Sequence, residues 1–343
     1  MAMGDSLRIA SFHTDLSRDG PGLLLRDIGR GAPDVEAAVA TILRAQPDVL
    51  LLLDFDWDFA GQALAAFAAR LTDAGAPYPY SFTARPNSGM PSGFDLDRDG
   101  RLGGPRDAWG YGEFEGQGGM AVLSRLPLGD AHDFSDFLWK DAAHAQLPRV
   151  GNAPYYSDEV LAEFPLSSVG HWVVPFTLPE GGRADLLAFH ATTPVFDGPE
   201  DRNGLRNRAE VLFWRSYLDG ALGATPAPTP SARFVLAGSA NLDPHDGDGD
   251  RAAIVALLAD PRLQDPQPRG QAPDPRGVNA THRGDPRLDT ARFSDRGPGD
   301  LRVDYVLPSA DWSVQDAGLV WPAPLDATSR VGRHALVWVD IGG

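Results

Sequence analysis

The 343-residue chain contains no cysteine and a single lysine, Lys140. Without cysteine there is no disulfide framework, no thiolate zinc site and no cysteine nucleophile. Such a chain tolerates oxidising and reducing surroundings alike, so the compartment stays open. Long apolar runs are also missing. The longest, Val49-Leu50-Leu51-Leu52-Leu53, has the length of a strand, far below the ~20 residues of a spanning helix, and no membrane association is expected. The opening Met-Ala-Met-Gly-Asp-Ser carries neither a cationic nor an apolar leader. That predicts a cytoplasmic protein by default, and an exported one if a leader was trimmed. No repeat or polar linker divides the chain, so one domain over residues 1–343 is expected, with loop insertions near 78–118, 127–165 and 261–300.

Positive charge is the other shortage. Against 47 acidic side chains stand 30 basic ones, for a formal charge of −17. Such a surface repels polyanions unless a local basic groove or bound cations reverse the field, so tight duplex DNA binding is not expected.

What is present is enough apolar matter, 43% of residues, for a large core. Residues 7–12 and 49–53 read as buried strands, and the 3,4 spacing of Val35, Ala38, Val39, Ile42 and Leu43 predicts a helix opened by Pro33. A second helix is expected over 60–71, and strands over 119–124, 171–178, 184–190, 234–237, 301–307 and 335–341. Further helices are expected over 207–218 and 252–258, the latter capped by Asp250. Alternation of strands and helices implies a layered α/β fold.

Polar residues gather at strand ends: His13, Asp54 with Asp56, His190, Asn241 with Asp243, Asp304 and His334. One strand-end acid or histidine is usually a turn former. Several on one chain mark a sheet edge where segments converge on a substrate.

The segments Ile9-Ala10-Ser11-Phe12, Gly119-Met120-Ala121-Val122-Leu123-Ser124-Arg125-Leu126-Pro127, Leu186-Leu187-Ala188-Phe189-His190 and Asp304-Tyr305-Val306 resemble the endonuclease/exonuclease/phosphatase superfamily. Residues 194–204 with Arg206-Asn207 look like a bacterial branch of it. The resemblance implies a two-sheet α/β sandwich of the deoxyribonuclease I type that hydrolyses phosphate mono- or diesters with a divalent cation. It further implies proton transfer by His334 paired with Asp304, and phosphate handling by His190 and Asn241. A phosphate-ester small molecule or a short single-stranded nucleic acid is the expected partner.

Four positions depart from the pattern. The first strand ends in His13 where the family has Asn, and Asp54 stands for the metal-binding Glu. Gly238-Ser239-Ala240-Asn241 lacks the acid of Gly-Asp-x-Asn, and Gly332-Arg333-His334 replaces the acid of Ser-Asp-His by arginine. A Mg²⁺ held by oxygens would lose attraction and meet repulsion. Three readings stay open: a site without metal whose activity is lost or much weakened, Arg333 clamping phosphate in the metal's place, or a Mn²⁺ or Zn²⁺ site built from His13 with Asp54, to which His190 or Asp56 could add a ligand. The first of these would leave a protein that only binds a phosphate ligand or a partner. Arg202, Asn203 and Arg206 are further candidates for substrate oxygens. Asp95-Leu96-Asp97-Arg98-Asp99-Gly100 begins like a calcium loop, although its twelfth position is Arg106.

Overall fold

The computed structural model describes residues 6–272, 275–294, 296–323 and 332–342; the first five residues, on which the leader expectation partly rests, lie outside them. Its strands are β1 (Leu7–His13), β2 (Val49–Phe55), β3 (Tyr80–Phe82), β4 (Gly119–Ser124), β5 (His132–Asp133), β6 (His171–Thr177), β7 (Arg183–His190), β8 (Phe234–Ser239), β9 (Asp304–Pro308), β10 (Ser313–Val320) and β11 (Leu336–Gly342). They form a six-stranded sheet, β10-β11-β1-β2-β4-β3, and a five-stranded sheet, β9-β8-β7-β6-β5. Apolar side chains of both, among them Ile9, Leu51, Val122, Val174, Leu186, Val235 and Val337, fill one buried layer between the sheets. This is the two-sheet α/β sandwich that the sequence leads one to expect.

Helices cover the outer faces. On the first sheet lie α1 (Leu23–Arg30), α2 (Pro33–Ala45) and α3 (Gln62–Asp73). On the second lie α4 (Asp158–Glu163), α5 (Arg202–Leu218) and α6 (Arg251–Leu258). Pro33 takes the first position of α2, where its missing N–H costs nothing. Asp250 caps α6 by accepting the Ala252 N–H at 3.0 Å. The loop over 261–300 contains a 3-10 turn, Gly277–Thr281, and a ribbon pairing Ala291–Arg292 with Asp300–Leu301. The expected strand over 301–307 is therefore broken: Arg302 turns aside to give its N–H to Asp243, and β9 starts at Asp304.

Register decides where the polar strand ends go. β1 and β2 run parallel, as do β7 and β8, so His13 and Asp54 finish side by side and His190 pairs with Ser239. β9 runs antiparallel to β8, which sets Asp304 opposite Ser239. β11 runs antiparallel to β1, with Leu336 opposite Phe12, so His334 sits just beyond His13. Asp304 and His334 thus stand at the starts of their strands and not at the ends. Antiparallel pairing still delivers them to the same edge.

Candidate active site

At this edge four buried or half-buried side chains meet. His334 Nδ1 lies 2.7 Å from Asp304 Oδ2, and both side chains are almost wholly buried. The His13 ring stacks on His334 with centroids 3.9 Å apart, and meets His190 edge-on at 5.2 Å. Burial alone would lower the pKa of His334, but the charge and hydrogen bond of Asp304 outweigh it and raise it. The same pairing overcomes burial at Asp304 and holds that carboxyl below its ordinary value. His13 goes the other way, to about 4, through burial and then the charge of His334. His190 falls to about 3, through burial and then His13. The charges at this edge therefore favour a proton on His334 over one on His13 or His190.

Asp15, two residues past the end of β1, joins this edge although the strand-end pattern does not mark it. Thr14 ties the turn after β1 to the end of β2, its N–H and hydroxyl both reaching the Leu53 carbonyl at 2.9 Å. Asp15 then takes a left-handed backbone (φ 53°) that turns its carboxylate into the edge. There it pairs with the Arg333 guanidinium and lies 3.8 Å from His13 Nδ1. Asp54 and Asn241 are left-handed too, at φ 53° and 50°; acidic and amide residues tolerate this conformation best, and such strain gathers at functional sites. Asp54 accepts from the Ser17 hydroxyl at 3.1 Å. Its other oxygen lies so close to Gly118 that a Cβ there would approach it to 2.7 Å.

Other expected site residues are placed in different work. Asp56 accepts the N–H groups of Arg18 and Gly118 and fastens two loops, its pKa raised by burial to about 7. Arg206 gives four hydrogen bonds to the carbonyls of Leu166, Trp109, Pro165 and Ser167, and Arg202 gives one to Leu96. Both arginines are buried in the scaffold beneath α5. Asn203 holds the loop after β7 through the Val195 carbonyl and Asp197. Those three residues therefore brace the loops flanking the site through hydrogen bonds to protein groups. Asn241 donates to the Ala191 carbonyl at 2.8 Å, next to His190. Ser239 is fully buried between His190 and Asp304 and supplies no carboxylate.

Two groups among the described residues have ligand atoms within 4.8 Å of one another: His13 with Asp15 and His334, and Asp95 with Asp97 and Asp99. The second is an exposed or half-exposed turn whose carboxylates already accept the N–H groups of Asp99, Gly100 and Arg101. Asp107, just past the twelfth position, staples that loop from inside through Leu96, Gly103 and Gly104. At this edge Ser239 offers a hydroxyl and Arg333 a guanidinium paired with Asp15, so oxygen ligands for a hard ion such as Mg²⁺ are few there.

Comparison with known proteins agrees with the architecture. Solved structures align over nearly the whole chain. An endonuclease/exonuclease/phosphatase from Beutenbergia cavernae shares 19% identity over 98% of this chain and 72% of its own, with a TM-score of 0.51. Sphingomyelinase C from Streptomyces griseocarneus shares 19% over 99% and 100%, TM-score 0.51. The human Nocturnin catalytic domain shares 12% over 99% and 94%, TM-score 0.52. At these identities the likeness is one of fold. No curated protein matches the chain. The model of the Endonuclease/Exonuclease/phosphatase family matches residues 25–334, from α1 to His334, and the chain belongs to that family.

Proposed function

We propose that this chain hydrolyses phosphate esters at the edge formed by His13, His190, Asp304 and His334. The observation that carries the reading is the buried Asp304–His334 pair at 2.7 Å. Asp304 holds the Nδ1–H of His334, so Nε2 is the ring atom left for chemistry, and the charge of Asp304 raises the ring's pKa and favours its protonated form. A water molecule forms the new bond to phosphorus while the bond to the leaving oxygen breaks; that oxygen takes the Nε2 proton, a transfer worth roughly 10²–10⁴ in rate, and the proton released by the water restores Nε2. Arg333, anchored by Asp15, meets the charge that develops on the non-bridging oxygens. His190 and Asn241 border the phosphoryl group from β7 and β8.

Family members use a divalent cation, and no step here is routed through one. Hydrolysis of a nitrophenyl phosphomonoester and diester, each in EDTA and with Mg²⁺, Mn²⁺, Zn²⁺ or Ca²⁺ added singly, tests the reading. His334→Ala and Asp304→Asn are each expected to lower kcat by 10²-fold or more, and the double variant little further. Turnover unchanged in His334→Ala would sink the assignment. The competing reading, a phosphate-binding protein without turnover, draws on Ser239 and Arg333 standing where carboxylates would hold a metal. Phosphate binding without hydrolysis under every condition would establish it.

A further inference from the structure

Asp304 and His334 meet at 2.7 Å, yet they belong to different sheets. Asp304 opens β9, the outer strand of the five-stranded sheet, and His334 stands two residues before β11 of the six-stranded sheet. Each ladder fixes only its own strands. Between the sheets lies an apolar layer, whose attraction is non-directional. Such a layer sets a spacing but no hydrogen-bond geometry, and a productive pair needs its atoms held to about 0.5 Å.

The ribbon inside the 261–300 loop supplies that precision. Thr290, wholly buried, lies at its foot. Its Oγ1 accepts the N–H groups of Val303 at 3.0 Å and of Asp304 at 2.9 Å. Its backbone carbonyl accepts the Ala335 N–H at 2.8 Å. One residue thus grips the backbone of both partners, at Asp304 itself and next to His334. The following residues extend the second grip. Ala291 pairs with His334, the Arg292 N–H reaches the Arg333 carbonyl at 2.6 Å, and the Phe293 ring meets that of His334 edge-on at 5.7 Å. On the other side Thr290 gives its N–H to the Leu301 carbonyl at 2.9 Å, and Ala291–Arg292 pairs with Asp300–Leu301. A threonine that only filled space could be a valine of the same shape. Here the hydroxyl is the acceptor for two consecutive buried N–H groups at the entry to β9, groups that ordinarily must be paired.

We propose that Thr290 is a positioning residue for the Asp304–His334 pair, joining the two sheets through its hydroxyl and its carbonyl. The 261–300 insertion then belongs to the proton-transfer machinery. The inference rests on the reading of His334 as the proton donor and acts through the backbone of its partners, without contact to substrate.

Thr290→Val removes the acceptor and keeps the shape, and Thr290→Ser keeps the acceptor. With the nitrophenyl esters, under a cation condition that supports turnover, Thr290→Val is expected to lower kcat by roughly 10²-fold with KM little changed, as a small misplacement of a catalytic group does. Thr290→Ser should restore most of it. In a His334→Ala background Thr290→Val should lower kcat little further, because both changes disable one unit. A folded Thr290→Val protein with the parent's kcat, a Thr290→Ser protein equally slow, or full additivity with His334→Ala overturns the assignment. Nitrogen-15 NMR of histidine-labelled protein gives a readout free of turnover. The His334 Nδ1–H resonance, identified by its loss in His334→Ala, should persist in Thr290→Ser and shift or vanish in Thr290→Val. An unchanged resonance in Thr290→Val sinks the positioning role. The spectrum decides that role even where the parent shows no hydrolysis, a result that would remove the phosphoesterase reading alone. If Thr290→Val does not fold, amide exchange in the parent takes its place: Val303, Asp304 and Ala335 should open together. Asp304 exchanging far faster than Ala335 would refute the bridge.

Discussion

Arg206 shows how much of this molecule's charge is spent indoors. Its guanidinium engages four backbone carbonyls at 2.6–3.0 Å, at 6% exposure, and lies over the Phe164 ring. Arg206→Met would keep the bulk and strand those carbonyls, each worth about 1–3 kcal/mol if left unpaired. The expected result is a loss of several kcal/mol in urea unfolding, with KM unchanged for the folded fraction. A variant of normal stability and raised KM would instead return Arg206 to the substrate. Sequence alone could not separate those roles, since an arginine near a site reads the same whether it faces a phosphate or a carbonyl. Asp15 was illegible for a related reason. It follows a strand end by two residues like any turn former, and only the left-handed backbone after Thr14 turns it inward. His190, Asp304 and His334 were legible because each borders a long apolar run, and register then has no freedom about where that border falls.

At the scale of elements, the sequence hid α1, despite its Leu23-Leu24-Leu25 and Ile28, and the elements that lack an apolar signature. β10 is an edge strand, largely exposed or half-buried along Ser313–Val320, and shows neither alternation nor an apolar run. α5 begins at Arg202 and not near Asn207, because its first turn is polar and holds Gly204, a weak helix former; tertiary bonds from Arg202, Asn203, Arg206 and Asn207 override that propensity. β6 supplies a prediction of its own. His171 opens it, 1% exposed, with Nε2 giving its hydrogen to the Glu210 carbonyl of α5 and Nδ1 near the Ser167 hydroxyl. Burial, helped by the charge of Arg206, lowers its pKa to about 4 against the bond to Glu210. The folded state therefore holds fewer protons at this ring than the unfolded state. Its stabilising effect is whole above the unfolded value near 6.5 and is lost as pH falls toward 4. Between pH 6.5 and 5 the loss is about 2 kcal/mol. Unfolding by urea at those two pH values should show it in the parent and show it diminished in His171→Gln. Equal losses in both would mean the ring is not held neutral.

For the whole molecule the controlling quantity is the charge of −17. A protein that binds phosphates through an exposed basic surface loses affinity as salt rises, because counterion release drives the association. Here the positive groups near the edge are few: Arg333 is tethered to Asp15, and His334 is buried against Asp304. Beyond a few ångströms an approaching phosphate meets a net negative surface, and salt screens that repulsion over a Debye length of about 10 Å at 0.1 M. The sign of the salt dependence is then inverted. kcat/KM for a small phosphate dianion should rise between about 10 and 200 mM monovalent salt, while kcat, set after binding, should barely move. The same repulsion grows with every added phosphate, so duplex DNA should compete poorly with the small ester at any salt concentration. Steady-state kinetics over a salt series decides the matter. A kcat/KM that falls with salt, together with strong competition by duplex DNA, would mean that a local basic groove outweighs the molecule's overall charge.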